Sequence, residues 1–201
     1  MIQKSEQKRL TILKAAGALF SERGYKVSMD EIAKRADVSK QTVYSHFRTK
    51  DQLFETCIQY RCEQRVIDES AFNLNVPVRN MLIEFGIRFQ NMHLEPQVLQ
   101  TYRNAVSQVS SHPQISAAYL KSGPEKTVTV LSEYLQHQHD RGQLHLVSSA
   151  KDAAMQLLLM FHGKAVYWAF LGSQIDQTAD EQRAYIERCV DMFLTSAQCN
   201  E

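Results

Sequence analysis

Glycine and proline are scarce in this sequence: the chain of 201 residues contains seven glycines and four prolines. A turn-rich β sandwich or barrel uses many of both, because these residues supply the backbone angles of tight turns. The few that are present stand at plausible helix boundaries. Since 44% of the residues are hydrophobic, the chain can also form a core. The composition therefore predicts an all-α protein.

Long hydrophobic runs are also missing. An apolar run such as Leu157–Phe161 is far shorter than the roughly 18 residues that cross a bilayer, so we expect no membrane partner. The opening Met1–Leu10 is charged and lacks the apolar stretch of a signal peptide. The cysteines form no C-x-x-C pair, which favours a reducing cytoplasm; they are Cys57, Cys62, Cys189 and Cys199.

Motifs that carry catalysis are absent too: there is no Gly-rich phosphate loop, no G-x-S-x-G and no H-E-x-x-H. His137 and His139 stand two apart on a predicted helix and face different ways, so with Asp140 and His145 they indicate a solvated helix end rather than a metal site. A redox switch between cysteines stays open beside the reading of idle thiols. We predict no enzyme activity, no cofactor and no metal.

The net charge of +1 conceals an uneven distribution along the chain. Residues 1–65 carry a net charge of +5 and residues 66–201 a net charge of −4. A basic segment in an otherwise acidic chain suggests a polyanionic partner for that segment.

Capping signals place the helix starts of the N-terminal third. Ser28 with Glu31 forms a capping box, Ser39 is a good N-cap after the turn Asp37-Val38-Ser39, and Thr49 with Gln52 forms a second box. The predicted helices are Ser5–Arg23, Met29–Ala36, Lys40–His46 and a long fourth helix at about 50–72.

The remaining chain reads as five or six more helices, which gives about nine or ten in all. Prolines, glycines and two further caps mark their ends. The predicted helices are about 76–93, 95–110, 113–121, 124–141 and 150–171, followed by a last helix after Thr178-Ala179-Asp180-Glu181.

Residues 28–47 fit a helix-turn-helix. The second helix of this motif lies in the major groove of DNA, which is about 12 Å wide, while the first braces it. This geometry needs a small apolar core beneath a polar outer face. The inward set is Ile32, Ala33, Val38, Val43 and Phe47, and the outward set is Lys40, Gln41, Thr42, Tyr44 and His46.

The sequence resembles the TetR/AcrR family of regulators through the run DVSKQTVYSHFRTKDQLF, the preceding SMDEIAKRA and the upstream AAGALFSERGY. The match is specific over roughly residues 8–56. It implies a three-helix helix-turn-helix DNA-binding domain over 1–50, connected by helix four to a helical ligand-binding and dimerisation bundle over 51–201. The stretch LEPQVLQTYRNAVSQVSSHPQISAAYLKSGPEK also resembles the C-terminal domain of AefR-like regulators.

The resemblance assigns roles in DNA binding to single residues. It implies phosphate contacts from Thr42, Tyr44 and Lys50, base or backbone contacts from Lys40, Gln41 and His46, and orientation by Ser39. Ser28, the cap of the preceding helix, belongs to the same set. One departure is Asp37, which stands where the family usually has glycine, although Asp tolerates a left-handed backbone.

Physical chemistry supports four of these roles independently. Lys50 lies in the first turn of helix four, where free amides and the helix dipole favour a phosphate. The Tyr44 and Thr42 hydroxyls can donate to phosphate oxygens. The Gln41 amide can bond adenine in a bidentate way.

A dimer surface is needed because one helix-turn-helix covers too few base pairs. The helix at about 150–171 is apolar nearly all round, and the last helix carries an apolar stripe. By resemblance, the two would pair with their counterparts in a partner; the alternative is a core helix of a monomer. The predicted interface residues are Ala154, Phe161, Ala165, Trp168, Ile186, Val190 and Phe193.

The middle of the chain, about 76–141, would enclose a ligand cavity. Methionine and aromatic side chains of the kind that line such cavities are Met81, Phe85, Phe89, Met92, Tyr102 and His162. Plain core packing is the alternative reading.

The sequence thus predicts a homodimeric regulator that binds double-stranded operator DNA, most simply a repressor released by a small, largely apolar ligand. The alternative is a helical interaction or ligand-carrier protein whose helix-turn-helix does not bind DNA. The intact outward set of the second helix favours the regulator.

Overall fold

The computed structural model describes residues 2–64 and 72–196, and this part of the chain is all-helical. A short 3-10 turn, Gly24–Lys26, joins the first two of its ten α-helices. The helices are α1 (Ile2–Arg23), α2 (Met29–Arg35), α3 (Lys40–His46), α4 (Lys50–Glu63), α5 (Val78–Leu94), α6 (Pro96–Ser107), α7 (Pro113–Ser122), α8 (Pro124–Asp140), α9 (Ala150–Phe170) and α10 (Ala179–Ser196). The fold class and the helix count predicted from the sequence are confirmed. None of these helices is long and apolar enough to cross a membrane.

Helix four shows the largest difference from the predicted bounds. The sequence predicts a helix to about residue 72, whereas α4 ends at Glu63, with Gln64 as its C-cap. The rest of the predicted helix falls on residues 65–71, which lie outside the described residues.

The chain divides into two compact units. Unit 1 comprises residues 2–64 and 100–124, and unit 2 comprises residues 72–99 and 125–196. This division differs from the predicted boundary after residue 50, because α4 packs on α1 and on α7. The chain passes between the units within α6, which starts in unit 2 and ends in unit 1.

The core of unit 1 forms around three fully buried phenylalanines. Phe20 of α1 and Phe54 of α4 meet edge to face with ring centroids 4.4 Å apart, and Phe47 closes the end of α3. Ile115 of α7 is buried in the same cluster. Burying each such side chain stabilises the unit by about 1.5–3 kcal/mol. Because Ile115 is one of them, α7 belongs to the core of unit 1.

Unit 2 is a bundle of α5, α8, α9 and α10. Its core contains Phe85 of α5, Leu131 of α8, Phe161 of α9 and Ile186 of α10, all fully buried. The close approach of α5 to the other helices requires a glycine, because a Cβ on Gly86 would lie 2.8 Å from the Ile186 side chain.

Candidate nucleic-acid interface

The capping box at Ser28 fixes the start of α2. The Glu31 amide donates to the Ser28 hydroxyl at 3.3 Å, and the Ser28 amide donates to the Glu31 carboxylate at 2.8 Å. The hydrogen bonds from Ser28, backbone first and side chain second, lower the pKa of Glu31 to about 2, with Arg23 adding to the effect. Because its hydroxyl is engaged in the cap, Ser28 orients α2 at the edge of the motif.

The turn between α2 and α3 takes the shape that the sequence predicts. Asp37 has φ of +52°, in the left-handed region, and the Val38 amide donates back to the Ala33 carbonyl at 3.1 Å. This pattern is a common helix stop, usually built on glycine. The prediction that Asp37 adopts the left-handed shape in place of glycine is confirmed.

Helix α3 presents one face to the core and the other to solvent. Ser39 caps it by accepting from the Thr42 amide at 3.1 Å, and the Ser39 and Thr42 hydroxyls lie 2.8 Å apart. Val43 is fully buried, whereas Tyr44 is 42% exposed. The Tyr44 side chain is therefore accessible on the outer face of α3. Gln41 is exposed on the same side, and Thr42 and His46 are half-buried.

Lys40, the first residue of α3, pairs with α2. Its ammonium lies 2.8 Å from the Asp30 carboxylate, and the hydrogen bond with Asp30 raises the pKa of Lys40. The pair is exposed and salt-screened, so it contributes little to stability. It does hold the lysine toward α2 in the absence of DNA.

Lys50, the first residue of α4, is held by Tyr25. The ammonium donates to the Tyr25 carbonyl at 3.0 Å and lies 4.0 Å from the centre of the Tyr25 ring. The Tyr25 hydroxyl donates in turn to Asp51. The cation is therefore fixed at the positive end of α4, as a phosphate site requires.

The sequence interpretation passed over two residues at this surface. Tyr25 lies in the quoted motif AAGALFSERGY, but its sequence position gives no sign of the contact with Lys50. Arg48 is exposed between α3 and α4, and its amide donates to the Gln52 side chain at 2.9 Å. The charge of Arg48 and its position directly after Phe47 are the sequence features that could have identified it.

Polar contacts fasten α6 and α7 to the helix-turn-helix inside unit 1. Asn104 of α6 donates to the Phe20 carbonyl at 3.0 Å, and Arg61 of α4 donates to the Gly17 carbonyl at 2.7 Å. Gln114 of α7 donates to the Asp51 carboxylate at 3.2 Å. The start of α4 is thus held by α7 as well as by Tyr25.

Five of the six residues predicted to bind ligand lie together in unit 2. Met81, Phe85 and Phe89 are buried in its core, Met92 packs against that core, and the His162 ring lies 5.1 Å from the Phe89 ring. Tyr102 is separate: it lies in unit 1, where its ring meets Tyr119 edge to face at 6.2 Å. The role of all six in ligand binding stays a prediction.

Two open pockets lie within unit 2, and neither is lined by those six residues. One, of about 470 Å³, includes Gln90, Lys164, Trp168, Tyr185 and Arg188 in its wall. The other, of about 580 Å³, is lined by the ends of α5 and α9 and by the segment that leads into α10.

The residues chosen for the dimer interface need correction. Trp168 is 43% exposed, but the other six are buried inside the subunit's own core. A side chain packed in its own core has no surface left for a partner, and the apolar stripe by itself does not show which face is covered. The buried residues are Ala154, Phe161, Ala165, Ile186, Val190 and Phe193.

The histidines and cysteines of the described residues form no metal site, and two of the thiols are buried. No group of three metal-ligating side chains occurs there. Burial raises the pKa of Cys57 to about 12 and also raises that of Cys189, so both thiols are unreactive at neutral pH. Cys199 lies outside the described residues.

Comparisons with known proteins agree with this geometry. Residues 12–57 match the family of bacterial regulatory proteins of the tetR type, and residues 80–196 match the AefR-like transcriptional repressor C-terminal domain. A 62-residue segment is 40% identical to the HTH-type transcriptional activator FasR of Mycolicibacterium smegmatis, covering 30% of this chain and 28% of FasR. The chain spans less than half the length of the curated relatives it matches.

Solved structures match over nearly the whole chain. A TetR-family transcriptional regulator from Mesorhizobium loti is 26% identical with a TM-score of 0.89, covering 97% of this chain and 98% of that one. The flavonoid-responsive regulator FrrA is 27% identical with a TM-score of 0.87, covering 98% and 100%. Family matches over both parts of the sequence and an all-helical fold with an exposed second helix lead to one conclusion: the chain belongs to the TetR family of DNA-binding transcriptional regulators, with an AefR-like C-terminal domain.

Proposed function

We propose that this protein is a homodimeric repressor that leaves its operator when unit 2 binds a small, largely apolar molecule. The observation that carries the proposal is the outer face of α3. Gln41 and Tyr44 are exposed there, and the restrained cations Lys40 and Lys50 lie at the starts of α3 and α4. Such a face can read base edges and bind phosphates together. The proposed partner is double-stranded operator DNA, and we expect the protein to act in the cytoplasm, where that DNA is.

The assignment as a repressor is supported by the C-terminal family. The matched domain over residues 80–196 is described as that of a transcriptional repressor. FasR is an activator, but its similarity covers 62 residues, less than a third of either chain. A small-molecule effector is supported by FrrA, whose name describes a response to flavonoids; these are small, mainly aromatic molecules.

The proposed dimer uses the outward face of α9 and α10. Several large apolar side chains of these helices and of the α9 C-cap are exposed to solvent, and we infer that together they form a patch of the kind that a partner covers. A twofold dimer buries the same patch of both subunits and positions two recognition helices on one operator. The residues are Met155, Leu159, Tyr167, Trp168, Leu171 and Met192.

The proposed response to ligand passes through the polar contacts of unit 1. The α6 helix carries the chain from unit 2 into unit 1. There the Asn104 side chain donates to the Phe20 carbonyl of α1, and Arg61 of α4 donates to the Thr101 hydroxyl at 3.4 Å. A shift of α6 would therefore tilt α4 and Lys50. The two recognition helices would then no longer match successive major grooves, roughly 34 Å apart.

Selection of bound duplexes from a random pool, followed by fluorescence anisotropy at several salt concentrations, tests the DNA function. We expect an enriched sequence with twofold symmetry and salt-sensitive binding. A pool without enrichment, together with no salt-dependent binding, would instead favour the helical carrier protein that does not bind DNA.

The response to effector is tested on the selected operator. We expect the flavonoid naringenin, or another member of a panel of small aromatic compounds, to raise the dissociation constant of the wild-type complex. Unchanged operator affinity across the panel, with the compounds shown by calorimetry to bind the protein, would contradict ligand-gated release.

A further inference from the structure

Helix α9 is broken at Gly163. This residue has φ of +55° and ψ of −170°, which are not helical angles. A Cβ at this position would lie 2.7 Å from the ring of Tyr185. Glycine is therefore required twice, for the backbone shape and for the close approach of α10.

Carbonyl groups directly before the break accept hydrogen bonds from side chains of other helices. Gln90 of α5 donates to the Phe161 carbonyl at 2.9 Å and to the His162 carbonyl at 3.3 Å. The Tyr185 hydroxyl of α10 donates to the Met160 carbonyl at 2.7 Å. Breaks supported in this way are frequent at functional sites. Helices α5 and α10 thus each supply a polar side chain that bonds to the backbone at the break.

The break directs the His162 ring into aromatic surroundings. Its centroid lies 4.8 Å from that of His93, 5.1 Å from that of Phe89 and 5.9 Å from that of Phe170. The Nε2 atom of His162 is buried and has no hydrogen-bond partner among the described residues. An unsatisfied buried polar atom costs about 1–3 kcal/mol, and a hydrogen bond from a bound molecule would remove that cost.

The chemistry of such a molecule follows from this environment. Burial lowers the pKa of His162 to about 4, so the ring is neutral at pH 7 and offers a carboxylate no ion pair. A hydroxyl group fits either tautomer of a neutral imidazole, because it can both donate and accept. The rings of Phe89, His93 and Phe170 favour a flat aromatic body.

The part of α9 after the break forms a short arm, residues 164–170. Phe170 is the wall that this arm contributes to the surroundings of His162. Lys164, Ala165 and Trp168 of the same arm also line the 470 Å³ pocket. The arm is otherwise packed, because Ala165, Val166 and Ala169 are buried, so movement about Gly163 must break these contacts and shift the arm toward the pocket.

We propose that the break in α9 forms a binding site for an uncharged aromatic molecule bearing a hydroxyl group, anchored at Nε2 of His162 and admitted by movement of the arm 164–170. This inference rests on the proposed function of unit 2 as a small-molecule sensor. It adds the chemical class of the effector, its anchoring atom and its route of entry. Since the arm also carries Tyr167 and Trp168, the site adjoins the proposed dimer face.

The test uses phenol as the probe and toluene as its partner without a hydroxyl, titrated into the full-length protein labelled with ¹⁵N-histidine. Ring nitrogen resonances are followed by NMR, and His162 is assigned from a His162→Phe variant whose fold is checked by its melting transition. We expect phenol to shift the His162 Nε2 resonance saturably, with a dissociation constant on the order of 1 mM. Toluene should leave that resonance nearly unchanged.

Two variants distinguish a hydrogen bond at His162 from nonspecific apolar binding of the probe. His162→Phe should weaken phenol binding about threefold to tenfold, the value of one hydrogen bond, and leave toluene binding unchanged. His137→Phe, an exposed position on α8, is the control and should bind phenol as the wild type does. Equal binding of phenol and toluene, perturbation of other histidines without His162, or phenol affinity unaffected by His162→Phe would overturn the proposal. Because no DNA is present, these outcomes are independent of whether the protein binds an operator.

Discussion

The ammonium of Lys50 lies 4.0 Å from the centre of the Tyr25 ring and 3.0 Å from the carbonyl oxygen of the same residue. A cation over an aromatic face is worth about 0.5–2 kcal/mol, depending on its exposure. These two contacts therefore hold the Lys50 side chain in one conformation before DNA binds. The entropy of ordering this side chain is lost on folding and is not lost again when DNA binds.

Replacing Lys50 by alanine should weaken binding to all DNA sequences alike, because phosphates carry no sequence information. The plot of log affinity against log salt should become shallower by about one unit. Fluorescence anisotropy at four or more salt concentrations measures both effects. Lys151→Ala, which removes an exposed lysine of unit 2, is the matched control and should leave the slope unchanged. A slope unaltered in Lys50→Ala would rule out the phosphate contact.

Gln41→Ala should instead relax sequence preference. Its exposed amide is placed to read a base edge, and such a contact contributes about 1–3 kcal/mol of discrimination. Selection of bound duplexes with the variant should lose preference at one or two positions of each half-site. Tyr44→Phe is the informative comparison, because loss of a phosphate-bonding hydroxyl should weaken binding without changing the selected sequence. An unchanged consensus for Gln41→Ala would assign it no reading role.

Asp37 offers a test of backbone strain within the motif. Its φ of +52° costs an L-residue roughly 1–2 kcal/mol, less for aspartate than for others. Asp37→Gly should therefore raise the free energy of unfolding by up to about 1 kcal/mol, less the extra entropy of glycine in the unfolded chain. Asp37→Val should lower it by more than 1 kcal/mol. Urea denaturation followed by circular dichroism measures both, and equal stability of the two variants would contradict the strain.

The buried histidines predict a pH dependence of stability. Burial lowers the pKa of His162 from 6.5 to about 4 and also lowers that of His93. Between these values the unfolded chain binds more protons than the folded one, so stability falls as pH falls from about 6.5 to 4 and levels off below that. The His162 contribution is at most about 3 kcal/mol.

His162→Phe should flatten this pH dependence in urea titrations between pH 7 and 4, while His137→Phe should retain it. Glu31, whose pKa is lowered from 4.5 to about 2, loses its stabilising contribution only as pH falls below about 4.5. The two effects therefore separate. A His162→Phe variant with the full wild-type dependence would show that this ring is not the group responsible.

The corrected dimer surface is tested by substitutions on opposite faces of α9. Leu159→Asp places a charge on the exposed face and should yield monomers by light scattering with little change in unfolding free energy per subunit. Phe161→Ala, two residues away and fully buried, should cost about 3–5 kcal/mol of stability through the cavity it leaves. Leu159→Asp remaining dimeric at micromolar concentration would exclude this face.

The sequence by itself determined the local features of this protein. Caps at Ser28, Ser39 and Thr49 act through hydrogen bonds to amides three residues away, so their pattern can be read from the chain. The start of each N-terminal helix and the left-handed turn at Asp37 follow from such short-range chemistry. The exposed face of α3 follows as well, because a helical period of 3.6 places Val43 and Phe47 on one side and Gln41 and Tyr44 on the other.

Only the tertiary structure decided which apolar faces are covered and which distant groups meet. Phe161 and Leu159 are equally apolar in the sequence, but one is fully buried and the other is exposed, because α5 and α10 pack against one face of α9 alone. The contact of Tyr25 with Lys50 and the support of the break at Gly163 by Gln90 join residues far apart in the chain. Local propensity contains no information about such contacts, since they exist only once the helices have packed.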